Sequence, residues 1–471
     1  MLLEKLQAYV PTATPFHMPG HKRNTALSGY LSKLGADVDI TEIDGFDDLH
    51  APEGILMESM RRAAELWGSD EARYLVNGST AGILSAIYAL GTGGGKAVIA
   101  RNAHKSVYHA LEITGLSPVF VLPEYDEAHG AFLSVRPQSI DEALLKTPDA
   151  RFVLITSPTY EGVISDIKRI AEIAHARGIP VIVDEAHGAH LDLGGKFAGG
   201  AVKAGADIVI QSVHKTLPGL TQTAIMHISG MLVNKADVWH ALDIFETSSP
   251  SYLLMASLDG CTEFMKEKGR DTLTALHGAL ESFFKEAETL ERIRVWRPEG
   301  AFLFDDMKIL ISGKRAGVSG KRIMEILRED FSIELEAAFC DYAVAMAGAG
   351  TTAEELGRLL SALRVMDGRF GLSENGKRYP CPAIPESVLD IRRALLCPFE
   401  FVPLDCAEGR ISAEYAWAYP PGIPVFVPGE KIDVSSLSAW KNMVADGLKT
   451  VKTRSGDGML AVLSENEYKS C

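Results

Sequence analysis

Four short apolar runs, each followed by a polar residue, constrain this chain more than any other feature. They are AVIA (97–100), RFVLI (151–155), PVIVD (180–184) and ADIVI (206–210). Runs this short and this rich in β-branched residues read as strands buried on both faces. Helix-patterned segments separate them. In DIKRIAEIAHARG (166–178), Asp166 is placed to cap the start and Gly178 to stop the end. The alternation predicts an α/β fold, a mostly parallel sheet with helices on both faces.

The pattern changes near residue 300. MKILIS (307–312), SGKRIMEILRED (319–330), IELEAAF (333–339), AVAMAGAG (343–350) and TAEELGRLLSALRVM (352–366) predict strand, helix, strand, strand, helix. Thr352 and Glu355 match a capping box. This describes a smaller α+β lobe, linked by residues 368–395 to a last segment. Pro11, Pro15, Pro19 and Gly20 predict an extended arm over residues 1–30. The expected domains are therefore an arm (1–30), a large domain (31–297) and one or more small C-terminal domains (298–471).

Composition excludes several classes of partner. Lys plus Arg number 47 and Asp plus Glu 62, a net charge of −15. Such a chain repels phosphate backbones, so no nucleic acid is expected. No apolar stretch approaches the roughly 20 residues of a membrane span. The opening MLLEKLQAYVPTATPFH has no sustained apolar region, so no signal peptide is expected. Cys261, Cys340, Cys381, Cys397, Cys406 and Cys471 form no CxxC pair. Reduced thiols in a cytoplasmic protein, with no metal site, are the expectation.

Ligands of open parallel sheets lie beyond the carboxyl ends of the strands. Four strand ends carry suitable chemistry. In YLVNGSTAGILSAIYAL (74–90), Gly78, Ser79 and Thr80 open a helix whose free N–H groups suit an anion such as phosphate. The same residues would serve any helix as caps. In VIVDEAHGAH (181–190), Asp184 ends a β-branched run, with His187 and His190 close behind. A capping or core role would also place an aspartate there. DEAH is shared with ATP-driven helicases, but those need a phosphate loop ending in Lys and a hydroxyl residue. The nearest segment, Gly91 to Ala97, has its first glycine misplaced and Ala97 in the hydroxyl position.

ADIVIQSVHKTLPGLTQTA (206–224) ends a strand at Ser212 and then presents His214 and Lys215. A lysine at the rim of an apolar strand is costly unless it has a partner or a task. Desolvation lowers its pKa and makes it an amine nucleophile. Asp184 lies one strand–helix–strand unit upstream, so the two can sit side by side. A carboxylate there can hold a ring nitrogen protonated while the lysine forms an imine. In AVIARNAHKSVYHALEITG (97–115), His104 is placed either to stack on a ring or to cap a helix.

Together SVHKT, VDEAHGAH, NGST and RNAHKS resemble the bacterial Orn/Lys/Arg decarboxylases. FHMPGHKRN (16–24), DITEIDGFDDLHAPEGIL (39–56) and AYPPGIPVFVPGE (418–430) extend the match in the same order. The chain is similar to the short form, without the added N-terminal domain of the acid-stress enzymes. The resemblance implies an aspartate-aminotransferase-like fold with pyridoxal 5'-phosphate as cofactor. It implies that Lys215 holds the cofactor as a Schiff base, Asp184 pairs with the ring nitrogen and His104 stacks on the ring. Ala186 would pack on the opposite face, and Gly78, Ser79, Thr80, Ser212 and His214 would hold the phosphate. His187 joins the catalytic set. The implied reaction is α-decarboxylation of a basic amino acid, arginine before lysine or ornithine, in polyamine biosynthesis. Glu42, Asp44 and Glu414 are the expected partners of the substrate's distal cation. The resemblance also implies a homodimer with its site at the interface, reached by TSSPSY (247–252). An aminotransferase would need an arginine clamp, for which Arg392 and Arg393 are the candidates.

Overall fold

The computed structural model describes residues 1–300, 302–373, 378–418 and 422–465. The apolar runs form the centre of a seven-stranded sheet. Its strands are β1 (Glu71–Leu75), β2 (Lys96–Ala100), β3 (Ser117–Val121), β4 (Val153–Thr156), β5 (Val181–Asp184), β6 (Ile208–Gln211) and β7 (Ala224–Ile228). Their order across the sheet is β1-β7-β6-β5-β4-β2-β3. Neighbours pair in parallel from β3 through to β6. Only β7 runs against both of its neighbours, which leaves β1 pointing the same way as the rest. The carboxyl ends of β1, β2, β4, β5 and β6 therefore share one rim. Helices Gly78–Gly91, Lys105–Thr114 and Ile167–His175 cover the faces. Asp166 caps the last of these, accepting from Arg169 N at 3.0 Å.

A second, antiparallel sheet has the order β8 (Arg294–Trp296), β9 (Lys308–Ser312), β11 (Tyr342–Met346), β10 (Ala337–Ala338). Helices Gly320–Phe331 and Ala353–Arg369 complete this lobe, and the Thr352–Glu355 capping box is formed. IELEAAF contributes only two paired residues, because β10 is the sheet edge and meets β11 at Ala337 and Ala338 alone.

The N-terminal segment differs from expectation. Leu2–Tyr9 is a helix, with Leu2 and Leu6 fully buried in the main apolar core. Leu2 N donates to Asp259 at 2.7 Å. The i, i+4 spacing of the two leucines carried that signal. Pro11 sits in the 3₁₀ turn Val10–Thr12 that follows and does not prevent the helix. A further helix spans Thr25–Ser32.

The last segment pairs Phe399–Pro403 with Met459–Leu463, and sets Ala416–Ala418 between Pro424–Phe426 and Thr450–Lys452. Phe426, Ile432, Leu437, Trp440 and Leu460 form its own apolar cluster. It is tied to the main sheet through Arg101, just past β2. The guanidinium donates to Glu430 at 3.1 Å and to the Pro424 carbonyl at 3.2 Å, all buried. Tyr419, Pro420 and Pro421 of the AYPPGIP motif, and Cys471, lie outside the described residues. Among the described residues, no helix is long and apolar enough to cross a membrane.

Candidate active site

The shared rim of the parallel strands opens into one cleft. Ser79 reaches it from the end of β1, His104 from β2, Asp184 with Ala186 and His187 from β5, and Lys215 from β6. These residues span more than a hundred positions of sequence, and the parallel topology alone brings them together.

Lys215 sits in the short helix Val213–Thr216. Burial pushes its amine below the usual lysine range, and Asp184 opposes that shift. Its Nζ lies 3.1 Å from His187 Nε2. Asp184 is buried, which raises its carboxyl pKa, while Lys215 acts in the opposite direction. Ala186 N donates to Asp184 Oδ1 at 3.2 Å and fixes its rotamer. His104 is the N-cap of helix Lys105–Thr114, and Ser106 N donates to its Nδ1 at 3.3 Å. Burial and the nearby Lys215 push its pKa down to about 3, so the ring is flat and uncharged at ordinary pH.

On the β1 side, Gly78 takes φ +75° where the chain turns into its helix, a conformation that favours glycine. Ser212 Oγ donates to Ser79 Oγ at 2.9 Å, so the two hydroxyls mark one spot. The helix N-terminus beside them offers unpaired N–H groups to an anion. His214 Nδ1 donates to the Thr223 carbonyl at 2.9 Å, which orients its ring. Thr80 is exposed and does not line the cleft. Two further polar atoms, Asn102 Oδ1 and Thr156 Oγ1, are buried at the cleft with no hydrogen-bond partner. Buried orphans of this kind fit a site shaped for a polar ligand.

The major-domain profile of the Orn/Lys/Arg decarboxylases matches residues 2–333, and their C-terminal-domain profile matches residues 392–446. This chain belongs to the Orn/Lys/Arg decarboxylase family. It is 34% identical over 449 residues to an arginine decarboxylase of Bacillus subtilis, covering 91% of this chain and 90% of that one. An arginine decarboxylase of Halalkalibacterium halodurans is 32% identical over 435 residues, covering 90% and 89%. Among solved structures, a lysine decarboxylase of Francisella novicida superposes with a TM-score of 0.81 at 19% identity, over 98% of this chain and 81% of that one. The fold is that of the fold-type I pyridoxal-phosphate enzymes, and the chain is an amino-acid decarboxylase of that class.

In this family context the cleft and the shell behind His187 contain residues that the sequence reading did not single out. Lys308, the first residue of β9, is wholly buried, and its Nζ lies 2.6 Å from His187 Nδ1. Tyr160 stands edge-on to His187, with ring centroids 5.1 Å apart, and donates to Glu336 at 2.7 Å. Glu161 is buried, its carboxyl raised by desolvation, and accepts from Tyr342 at 3.1 Å. A lysine opening the otherwise apolar run KILIS was the available signal for Lys308.

Other expectations are redirected. Glu414 is fully buried within the C-terminal segment, away from the cleft. It accepts from Arg454 N at 2.8 Å, Ser455 N at 2.9 Å, Ala461 N at 2.7 Å and the Ser455 hydroxyl. With both oxygens occupied, it cannot meet a substrate cation. Glu414→Ala is expected to cost about 3–5 kcal/mol in denaturant unfolding, by leaving those donors unpaired. Turnover per folded molecule should stay within about twofold. Unchanged stability with a raised KM would reverse this assignment.

Glu42 and Asp44 do not line the cleft of this chain. Their neighbour Asp47 accepts from the backbones of Asp48, Glu53, Gly54 and Leu56, so this acidic stretch is partly a turn brace. In TSSPSY, Ser251 caps helix Tyr252–Phe264 and the Tyr252 hydroxyl donates to the Asp47 carbonyl at 2.6 Å. Arg392 and Arg393 lie in helix Ile391–Leu396, outside the cleft. Among the described residues lining the cleft there is no arginine to clamp an α-carboxylate as aminotransferases do.

Proposed function

We propose that this chain converts L-arginine to agmatine and CO2. The observation that carries the reading is the convergence of Lys215, Asp184, His187 and His104 on one buried rim. The substrate follows from two relatives named arginine decarboxylase that match about nine-tenths of the chain. The cleft also carries Glu161 and Glu336, carboxylates suited to a distal guanidinium.

The residues fit pyridoxal phosphate. Bound there, the cofactor supplies the electron sink for the carbanion left when CO2 departs. Lys215 would hold it as a Schiff base. Asp184 keeps a proton on the ring nitrogen. The uncharged His104 ring would stack on one face, and Ala186 would pack against the other. Ser79, Ser212, His214 and the helix N-terminus at Gly78 hold the phosphate. After CO2 leaves, Lys215 is placed to return a proton to Cα, with His187 hydrogen-bonded to its Nζ. Tyr160 and Ile423 wall the cleft and limit water.

The same reading makes this a cytoplasmic enzyme of polyamine biosynthesis working as a homodimer. Phe16 and Tyr30 support a covering partner, being 94% and 70% exposed on the N-terminal segment. Purified protein loaded with pyridoxal phosphate should release CO2 and agmatine from L-arginine. Its kcat/KM should exceed that for L-lysine or L-ornithine by roughly 10–100-fold. Inertness toward all three would sink the proposal.

A further inference from the structure

Lys308 is a full-length lysine side chain with no exposed surface, on a strand of the second sheet rather than the first. Its Nζ points at His187 Nδ1 (2.6 Å), and the other ring nitrogen, Nε2, faces Lys215 Nζ (3.1 Å). Two amines thus flank one imidazole on opposite sides. Desolvation pushes His187 well below its usual pKa, and the charge of Lys308 adds to the effect, so the ring is neutral and carries a single N–H. Which nitrogen holds that proton decides what Lys215 experiences.

The groups facing Lys308 settle the direction. Asp305, Glu161 and Glu336 favour its charged form, against burial and Lys215. Its pKa is pushed down to about 8, still above neutrality. Tyr160 presents its ring 5.7 Å away, a further stabilisation for a cation. A charged Lys308 can only donate, so His187 Nδ1 accepts and Nε2 carries the hydrogen. That hydrogen points at Lys215, which must then offer a lone pair. Around Lys215 the other charged and titratable groups are Asp184 and Glu336, which favour its ammonium, and His104 and His214, both with lowered pKa values.

We propose that Lys308 is a positioning residue: it locks His187 as the Nε2–H tautomer and so keeps the Lys215 amine unprotonated and ready to form an imine. The step needs that lone pair. Lys215 Nζ adds to the aldehyde carbon, both amine hydrogens are lost from nitrogen, and the carbonyl oxygen leaves as water. The inference rests on Lys215 being the cofactor lysine.

The test uses protein stripped of cofactor and reloaded with pyridoxal phosphate across a pH series, read by imine absorbance. Borohydride reduction and peptide mass spectrometry of the wild type first check that Lys215 is the modified residue. No label there would refute the cofactor reading itself. Given the label, Lys308→Met should move the pH midpoint of imine formation upward by about one unit, a tenfold loss at a fixed pH below it. Lys308→Arg, which keeps charge and donor, should restore most of the shift. His187→Phe should shift the midpoint in the same direction. Adding Lys308→Met to it should change little further, since the two act as one unit. An unmoved midpoint in folded Lys308→Met, or additive shifts in the double variant, would overturn the proposal. Histidine ¹⁵N spectra of the wild type give an answer independent of folding of the variants. The signals lost in His187→Phe should report a protonated Nε2 and a bare Nδ1, and the opposite tautomer would overturn the proposal.

Discussion

Lys215→Ala is expected to lower decarboxylation by at least about 10⁴-fold, the scale of losing a covalent-catalytic nucleophile. Lys308, the other amine on His187, lies on the far side of that ring and is not placed to stand in. The proposed phosphate cradle at Ser79 and Ser212 is untouched in the variant, so cofactor is expected to bind still, without a covalent link. CO2 release and borohydride trapping measure the two consequences separately. Full turnover, or a label that survives at another residue, would remove Lys215 from its role.

Asp184→Asn keeps the size of the side chain and an acceptor for Ala186 N, and removes only the charge. Its expected effect is a fall in kcat of roughly 10²–10³-fold, the range for loss of one preorganised electrostatic partner. KM should change little if, as proposed, the carboxylate serves the cofactor's ring nitrogen and not the substrate. The effect is large because Asp184 is 5% exposed, where little water screens its charge. A variant within tenfold of wild type would mean that the ring nitrogen is governed by some other group.

Much of this site was legible in the sequence for a topological reason. Lys215, Asp184 and His104 each follow an apolar run, and parallel strands place all such ends on one rim. His187 was legible because it is three residues past Asp184. Lys308 was not, since it arrives from the second sheet and no local pattern says which sheet edge will meet which cleft. Glu414 was misjudged for a different reason. Its acceptors are consumed within its own segment, mostly by backbone N–H groups, which nothing in the local composition distinguishes from a site for cations. The N-terminal helix was hidden by prolines that begin only after its last turn. The capping box at Thr352 and the cap at Asp166 were legible because a cap is a local contract among neighbouring residues.

Arg101 links chemistry to architecture. It stands three residues before His104, and its partners in the C-terminal segment are Glu430 and the Pro424 carbonyl. The loop that presents the imidazole is thus moored to the far end of the chain. The C-terminal segment is in this sense a strut of the catalytic rim and not an appendage. Exchanging that segment with a relative's would preserve the rim only if an acceptor for Arg101 travelled with it.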